Sequence, residues 1–331
     1  MSVIFHLGYP KAASTTLQKS LFYNHPSIIN LGSYPRSNIG VDDQNLSGFC
    51  QPYIEKDKRI KQLYKMLFHE QPIFYSKFEA SQLFKGVIAD YVSGSKPIVF
   101  SSEFALSVRF SLPDIVEKLR RVSDLGHAIK IIIIIRSQKD MLISLYRDHP
   151  FDPNLLGREK KYVALDNFIE IDRQTPFYSH CSSLDYFSLY QLLLSFFTAE
   201  NILILPMEML KDDLTNFSSK IASFCSLSPE SVYNLLQSQH CNHGATISYN
   251  FIRRASSFVS PLQKIMPVSV KNLLKIYYKN ALSISKQLGP KQSLNFSRES
   301  IDYIESAFGE SNKCLSDAIQ IDLSAFGYPV N

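Results

Sequence analysis

The stretch VIFHLGYPKAASTTLQKSLFY, residues 3–23, changes its residue pattern twice within a short length. Val3–Leu7 is an apolar run typical of a buried β-strand, and it ends at Gly8. Ser14 can cap a helix that continues to about Tyr23. The stretch therefore predicts a strand, a tight loop and a helix start in direct succession, as in an α/β fold.

Further strand patterns follow along the chain. Lys96–Ser101 and Ile129–Ile135 lack polar alternation, which is typical of strands buried on both faces of a parallel sheet. Leu112–Leu125 predicts a crossover helix between them, and the helix Asp185–Thr198 leads into the strand Asn201–Leu205. We therefore predict an α/β fold, a doubly wound parallel sheet of P-loop type with helices on both faces and ligands at the carboxyl ends of its strands.

A single domain is expected to hold all 331 residues, of which 45% are hydrophobic. Residues 1–225 carry the alternating strand and helix patterns and would form the α/β core. The strand pattern fades after about Ser226, so we expect residues 226–331 to form a helical extension packed on that core.

Charge and cysteine content narrow the functional classes. The net charge of +5 is small for this length and its cations are dispersed, which favours a small anionic ligand over a nucleic acid. The five cysteines are odd in number and lie far apart without a CxxC pair, which predicts free thiols in a reducing compartment. The first residues lack a basic region, and Ile131–Ile135 is too short to span a bilayer. We therefore expect a cytoplasmic protein without a transmembrane segment.

The loop Gly8–Thr16 has the parts of an anion site. Consecutive amide groups at a helix start can wrap an anion, Lys11 adds a positive charge, and Ser14, Thr15 and Thr16 offer hydroxyl groups. A capped strand-to-helix turn with a solvated lysine is the alternative. A nucleoside-triphosphate P-loop is not indicated, because the lysine comes early and no Gly-Lys pair follows.

A second polar group follows the strand Ile129–Ile135. Arg136 ends this strand, and Ser144 comes eight residues later, about two turns into the next helix. The planar guanidinium is suited to a phosphate, and the hydroxyl can complete the pocket. The alternative is an arginine that pairs with a nearby carboxylate.

Glu103 follows the strand Lys96–Ser101 and is a candidate general base, since its carboxylate can take a proton at the same sheet edge. The alternative is a surface glutamate or a partner of the helix start near Phe104. His149, in YRDHP, is a second candidate base, whereas His6 lies inside an apolar run and is expected in the core.

Two of these segments resemble the sulfotransferase family. The order Pro-Lys-x-x-Ser-Thr-Thr at residues 10–16 resembles the family's 5′-phosphosulfate loop, commonly PKxGTT, and IIIIRSQKDMLISLYR, residues 132–147, resembles its second signature. The resemblance implies 3′-phosphoadenosine-5′-phosphosulfate (PAPS) as donor and 3′-phosphoadenosine-5′-phosphate (PAP) as product. No metal is expected, because a sulfuryl group carries less negative charge than a phosphoryl group. Ala13 stands where the pattern usually has glycine, and an alanine is tolerated there if its φ is negative.

The resemblance also implies roles for the matched residues. Lys11 contacts the bridging oxygen of the donor, the following amides hold the 5′-phosphosulfate, and Arg136 and Ser144 bind the 3′-phosphate. A late segment, CNHGATISYNFIRRA, resembles one that closes over the nucleotide, so Arg253 and Arg254 can reach the donor or lie on the surface. The donor-binding residues are then Lys11, Ala12, Ala13, Ser14, Thr15, Thr16, Arg136, Ser144 and Arg253.

The catalytic base is left between two residues. In the carbohydrate branch of the family a glutamate just after the corresponding strand looks like the general base, which points to Glu103, whereas other branches use a histidine and would point to His149. The catalytic set implied by the resemblance is Lys11 with Glu103 or His149.

The acceptor supplies a hydroxyl or an amine, and a glycan or glycolipid is favoured because of the candidate glutamate base and because Tyr178 and Tyr186 can stack on a sugar. A membrane or a lipid-linked glycan is one expected partner of a basic amphipathic stretch, and a solvated lysine face over an ordinary core is the alternative. Its lysines are Lys264, Lys271, Lys275 and Lys279.

Two rival functions remain. A P-loop nucleotide kinase or hydrolase would use Mg-ATP, and the missing Gly-Lys-Ser/Thr argues against it. A non-catalytic binding protein on the same fold is opposed by the presence of Lys11, Glu103, Arg136 and Ser144.

Overall fold

The computed structural model describes most of the chain. The described residues are 2–31, 57–69, 76–91, 94–103, 105–106, 112–148, 163–174, 179–237 and 294–331, with positions 270, 274, 276–278, 280–281 and 284.

Five parallel strands form one sheet. They are β1 (Ser2–Leu7), β2 (Ile29–Asn30), β3 (Ile98–Ser102), β4 (Ala128–Ile135) and β5 (Ile202–Pro206). Their order is β2-β3-β1-β4-β5, so β1 lies between β3 and β4. The predicted parallel α/β sheet is confirmed, and its polarity brings the strand ends to a common edge.

Helices connect and flank these strands. They are α1 (Ser14–Thr16), continued by a π-helix (Leu17–Phe22), α2 (Lys58–Tyr64), continued by a π-helix (Lys65–His69), α3 (Lys77–Tyr91), α4 (Leu112–Ser123), α5 (Gln138–Asp148), α6 (Leu165–Gln174), α7 (Tyr186–Leu194), α8 (Met209–Asp212), α9 (Leu214–Cys225), α10 (Pro229–Gln237) and α11 (Arg298–Ile319). The predicted crossover helix corresponds to α4.

The chain divides into two compact units. The first holds residues 1–137, 183–240 and 308–331 and contains the whole sheet; the second holds residues 138–182 and 241–307. The expectation of one domain with a helical cover stays a prediction.

The core of the first unit is built around β1 and β4. All five isoleucines of Ile131–Ile135 are fully buried, as the continuous run predicts for a central strand. The rings of Phe5 and Phe100 stack across β1 and β3 with centroids 5.2 Å apart. Burying each such side chain stabilises the fold by about 1.5–3 kcal/mol, so the sheet is a firm base for its loops.

The second unit is held by local polar contacts. Asp172 on α6 is fully buried and accepts hydrogen bonds of 2.8 Å from the Ser179 hydroxyl and from the amides of His180 and Cys181. The guanidinium of Arg173 lies 4.1 Å from the ring centroid of Tyr303.

None of the helices in the described residues is both long and apolar enough to cross a bilayer.

Candidate active site at the carboxyl edge of the sheet

The register of the sheet assembles the site. Leu7 at the end of β1 pairs with Ser102 at the end of β3, and β4 runs parallel on the other side of β1. The anion loop, Glu103 and Arg136 each directly follow one of these strands. The residues predicted from three separate stretches of sequence therefore lie at one edge of the first unit.

Gly8 is where the loop and the end of β3 approach most closely. Its amide donates a 2.8 Å hydrogen bond to the carbonyl of Ser102. A Cβ on Gly8 would lie 2.5 Å from the Ser14 hydroxyl and 3.0 Å from the Cα of Glu103. Glycine is therefore required here, because any side chain would push the helix start away from Glu103.

The loop turns through two left-handed residues, Lys11 with φ 70° and Ala13 with φ 55°. The condition under which alanine is tolerated at this position, a negative φ, is not met, since Ala13 adopts the conformation that glycine adopts without strain. An alanine in this region costs about 1–2 kcal/mol. The need for glycine in the family pattern is thus visible in the backbone itself.

The cap of α1 also differs from expectation. Ala13 occupies the cap position, and Ser14, predicted as the cap, is the first helical residue. The Ser14 hydroxyl donates to the Tyr9 carbonyl at 3.2 Å, so it closes the loop rather than capping the helix. The hydroxyl is drawn inwards because Ser14 is buried against Gly8.

The first turn of α1 presents backbone donors. The amides of Ser14, Thr15 and Thr16 have no carbonyl one turn earlier in the helix, and the helix dipole makes this end positive. The chain then widens into the π-helix Leu17–Phe22, with the amide of Tyr23 bonded to the carbonyl of Gln18 at 3.0 Å. Such an amide cluster beside a lysine suits an anion.

Arg136 connects β4 to this loop. Its Nη1 donates a 3.1 Å hydrogen bond to the carbonyl of Lys11, so a carbonyl rather than a carboxylate takes this hydrogen bond. Its Nε–H is buried and has no hydrogen-bond partner among the residues that the structure describes. A buried donor without a partner is costly, so this Nε–H is suited to a further hydrogen-bond acceptor.

A second layer of contacts supports Arg136 from behind. The Tyr186 hydroxyl donates to the carbonyl of Arg136 at 2.7 Å, and one carboxylate oxygen of Glu208 accepts the amide of Ser137 at 3.0 Å. The other oxygen of Glu208 accepts the Tyr328 hydroxyl at 3.1 Å. Burial raises the pKa of Glu208, and the Ser137 amide, the Tyr328 hydroxyl and the Arg136 charge oppose that rise.

The expected role of Tyr186 in stacking on a sugar is wrong. Its side chain is fully buried, and its ring meets those of Tyr9 and Tyr328 edge-on at 5.4 and 6.4 Å. Burial raises its pKa well above the usual range, so it stays a neutral donor to Arg136. Sequence reasoning read this tyrosine as exposed because the pattern of α7 does not separate an inward ring from an outward one.

The structure describes Glu103 and His6 but not His149. Glu103 is half-buried in the turn directly after β3, at the point where Gly8 passes its Cα. His6 is confirmed as a core residue: it is fully buried, its Nδ1 lies 2.7 Å from the Ser101 hydroxyl, and burial lowers its pKa to about 3. His149 lies outside the described residues.

Of the remaining predicted residues, the structure describes Ser144. Ser144 lies half-buried on α5, which belongs to the second unit and begins directly after Ser137. Arg253, Arg254 and Tyr178 lie outside the described residues. In the part of the chain that the structure describes, His, Cys, Asp and Glu form no group of three or more that could hold a metal ion.

In a comparison with protein families, residues 4–249 match the sulfotransferase domain family. The chain resembles the crystal structure of a sulfotransferase from Alicyclobacillus acidocaldarius at 15% identity, covering 99% of both chains with a TM-score of 0.52, which is a likeness of fold. A mouse sulfotransferase complexed with PAP aligns at 15% identity over 72% of this chain and 64% of its own, with a TM-score of 0.39. None of the curated protein sequences matches significantly.

Proposed function

This chain belongs to the sulfotransferase domain family and is a sulfotransferase, and we propose that its donor is PAPS. The observation that carries this proposal is the hydrogen bond from Arg136 to the carbonyl of Lys11, together with the buried Nε–H of Arg136, which has no hydrogen-bond partner among the described residues. Two anion-binding groups at one sheet edge suit a nucleotide with phosphates at two positions.

The proposed donor site divides between the two motifs. Lys11 and the amides of residues 12–16 hold the 5′-phosphosulfate, while Arg136 binds the 3′-phosphate together with Ser144. Arg253 is proposed as a further donor contact. Support comes from the matched motifs and from the placement of Lys11 and Arg136 within hydrogen-bond reach of each other.

The proposed reaction is an in-line transfer. The acceptor oxygen or nitrogen forms a bond to sulfur as the bond from sulfur to the bridging oxygen breaks, and negative charge builds up on the departing 5′-phosphate. Lys11 and the helix start stabilise that charge, which is the main task in a loose transition state. The sulfuryl group carries less charge than a phosphoryl group, so the proposal includes no metal.

Glu103 is the proposed general base and takes the proton of the acceptor. Its support is its position directly after β3 and beside Gly8, at the edge that carries Lys11. His149 is the alternative base. The proposed compartment is the cytoplasm, and Cys181, Cys225 and Cys314 carry free thiols as such a compartment requires.

A glycan or glycolipid is the proposed acceptor. The support is the assignment of Glu103 as base, since the buried Tyr186 cannot stack on a sugar. Residues 231–298 contain nine Lys and Arg residues and no Asp or Glu, and the side chains of Ile276, Tyr277 and Ile284 are exposed. This combination supports peripheral contact with an anionic membrane that presents a lipid-linked acceptor. Sedimentation with anionic but not neutral vesicles would support the contact, and equal or absent binding would refute it.

The donor proposal is tested by comparing PAP with adenosine 5′-monophosphate, which lacks the 3′-phosphate. We expect calorimetry to show tighter binding of PAP and the Arg136→Ala variant to lose most of that advantage. Arg121→Ala is the matched control, because Arg121 lies on α4 and pairs with Glu117. Equal affinity of the unaltered protein for both nucleotides would overturn the donor assignment.

A further inference from the structure

The backbone around Arg136 is fixed at three consecutive points. The carbonyl of Ile135 accepts the amide of Met207 at 2.8 Å, the carbonyl of Arg136 accepts the Tyr186 hydroxyl, and the amide of Ser137 donates to Glu208. A side chain is only as well placed as the peptide that carries it. The contacts on this short segment therefore decide where the guanidinium can lie.

Glu208 depends in turn on Tyr328. The carboxylate is largely removed from water, which raises its pKa, and its second oxygen accepts the Tyr328 hydroxyl at 3.1 Å. A buried carboxylate oxygen that loses a donor carries a desolvation penalty and tends to reorient. Tyr328 thus holds the group that holds the Ser137 amide.

Tyr328 also touches the other support of Arg136. Its ring meets the ring of Tyr186 edge-on with centroids 6.4 Å apart, and only 3% of its surface is exposed. One tyrosine therefore contacts both Glu208 and Tyr186, which bind the two sides of the Arg136–Ser137 peptide.

The segment that carries Tyr328 is itself pinned to α11. The Ser316 hydroxyl binds the carbonyl of Ile321 and the amide of Leu323, and the Asn312 side chain donates to the carbonyl of Pro329 at 2.9 Å. Gly327, with φ 77°, provides the turn that Tyr328 needs to fold back. The ring is presented by a built structure and not by a loose tail.

We propose that Glu208 and Tyr328 are positioning residues for the 3′-phosphate site and hold the Arg136 peptide so that its guanidinium faces the donor. This proposal rests on the proposed function, since it assigns Arg136 to the donor. It extends the donor site to a residue outside positions 4–249, the part that matches the family.

The test uses two variants that each change a single polar group. Tyr328→Phe keeps the ring and loses the hydroxyl, and Glu208→Gln keeps the shape and loses the charge. We expect each to weaken PAP binding by roughly three- to tenfold. Binding of adenosine 5′-monophosphate should change less than about twofold, since that nucleotide does not use the Arg136 site. Tyr233→Phe on α10 is the matched control and should change neither affinity.

The outcomes separate this proposal from the donor assignment. If the unaltered protein prefers PAP and both variants keep the full preference, or weaken both nucleotides equally, the positioning role is refuted while the donor assignment stands. If the unaltered protein shows no preference for PAP, the donor assignment fails, and the positioning role fails with it.

Discussion

The Nη1 of Arg136 donates a 3.1 Å hydrogen bond to the backbone carbonyl of Lys11, which joins the end of β4 to the loop after β1. The two residues are 125 positions apart in sequence, yet each belongs to one of the two motifs on which the donor site is proposed. This hydrogen bond therefore joins the two motifs at the carboxyl edge of the sheet.

Lys11→Ala should abolish sulfuryl transfer while the protein stays folded. The lysine is proposed to stabilise the charge on the departing phosphate, and loss of such a group slows turnover by at least about 100-fold. Transfer of labelled sulfate from PAPS to glycan and glycolipid acceptors measures the effect. Lys211→Ala is the control, because that side chain is 90% exposed on α8. Full activity of Lys11→Ala would refute the role of the loop.

Ala13→Gly should stabilise the protein by about 1 kcal/mol, because glycine adopts the positive φ of this position without strain. Ala12→Gly is the matched control: Ala12 is buried and is not among the positive-φ residues, so glycine there should destabilise. Urea unfolding of both variants gives the two changes. A loss of stability in Ala13→Gly would mean that the left-handed turn is not strained.

The contrast between the strands and the loop shows what could be predicted from sequence. The run Ile131–Ile135 carries its own signal, because a strand buried on both faces needs apolar residues throughout. The left-handed Ala13 carries no such signal in its own residue type, and only the glycine that the family pattern usually has at this position points to a positive φ. The π-helix after Thr16 likewise has no local signature that separates it from an α-helix.

The contacts that support Arg136 cannot be predicted from sequence for a different reason. Glu208 and Tyr328 are 120 positions apart, and their hydrogen bond exists only because β5 and the segment after α11 meet in the folded chain. Tyr186 was misread because a tyrosine in a helix looks the same from sequence whether its ring is buried or exposed. Motif patterns point to the candidate donor-binding residues, whereas contacts between residues far apart in sequence appear only in the structure.

Glu103→Gln should bind the donor normally and transfer slowly. The amide cannot accept the acceptor's proton, and loss of a general base slows reactions by about 10²–10⁴-fold. Calorimetry with PAP checks binding, and the labelled-sulfate assay checks turnover. Unchanged turnover in this variant would move the base to His149 or elsewhere.

Stability should fall in acid because of His6. Burial lowers its pKa to about 3, whereas an unfolded histidine titrates near 6.5, so the unfolded state takes up a proton first as the pH falls. The contribution of neutral His6 to the free energy of unfolding is complete above pH 6.5 and shrinks below it. The loss between pH 8 and pH 5 is about 2 kcal/mol. Denaturant unfolding at both pH values gives the free energy of unfolding. Its fall from pH 8 to pH 5 should be smaller by about 2 kcal/mol in His6→Gln than in the unaltered protein. An identical fall in the two proteins would contradict the buried, neutral state of His6.

PAPS is proposed to bind this sulfotransferase at the edge formed by Lys11 and Arg136. Calorimetric titration of the full chain with PAP in the absence of metal, and separately with ATP and magnesium, tests it most directly. We expect tight binding of PAP without metal and weak binding of Mg-ATP. A preference for Mg-ATP would contradict it and make a P-loop kinase or hydrolase the function to pursue.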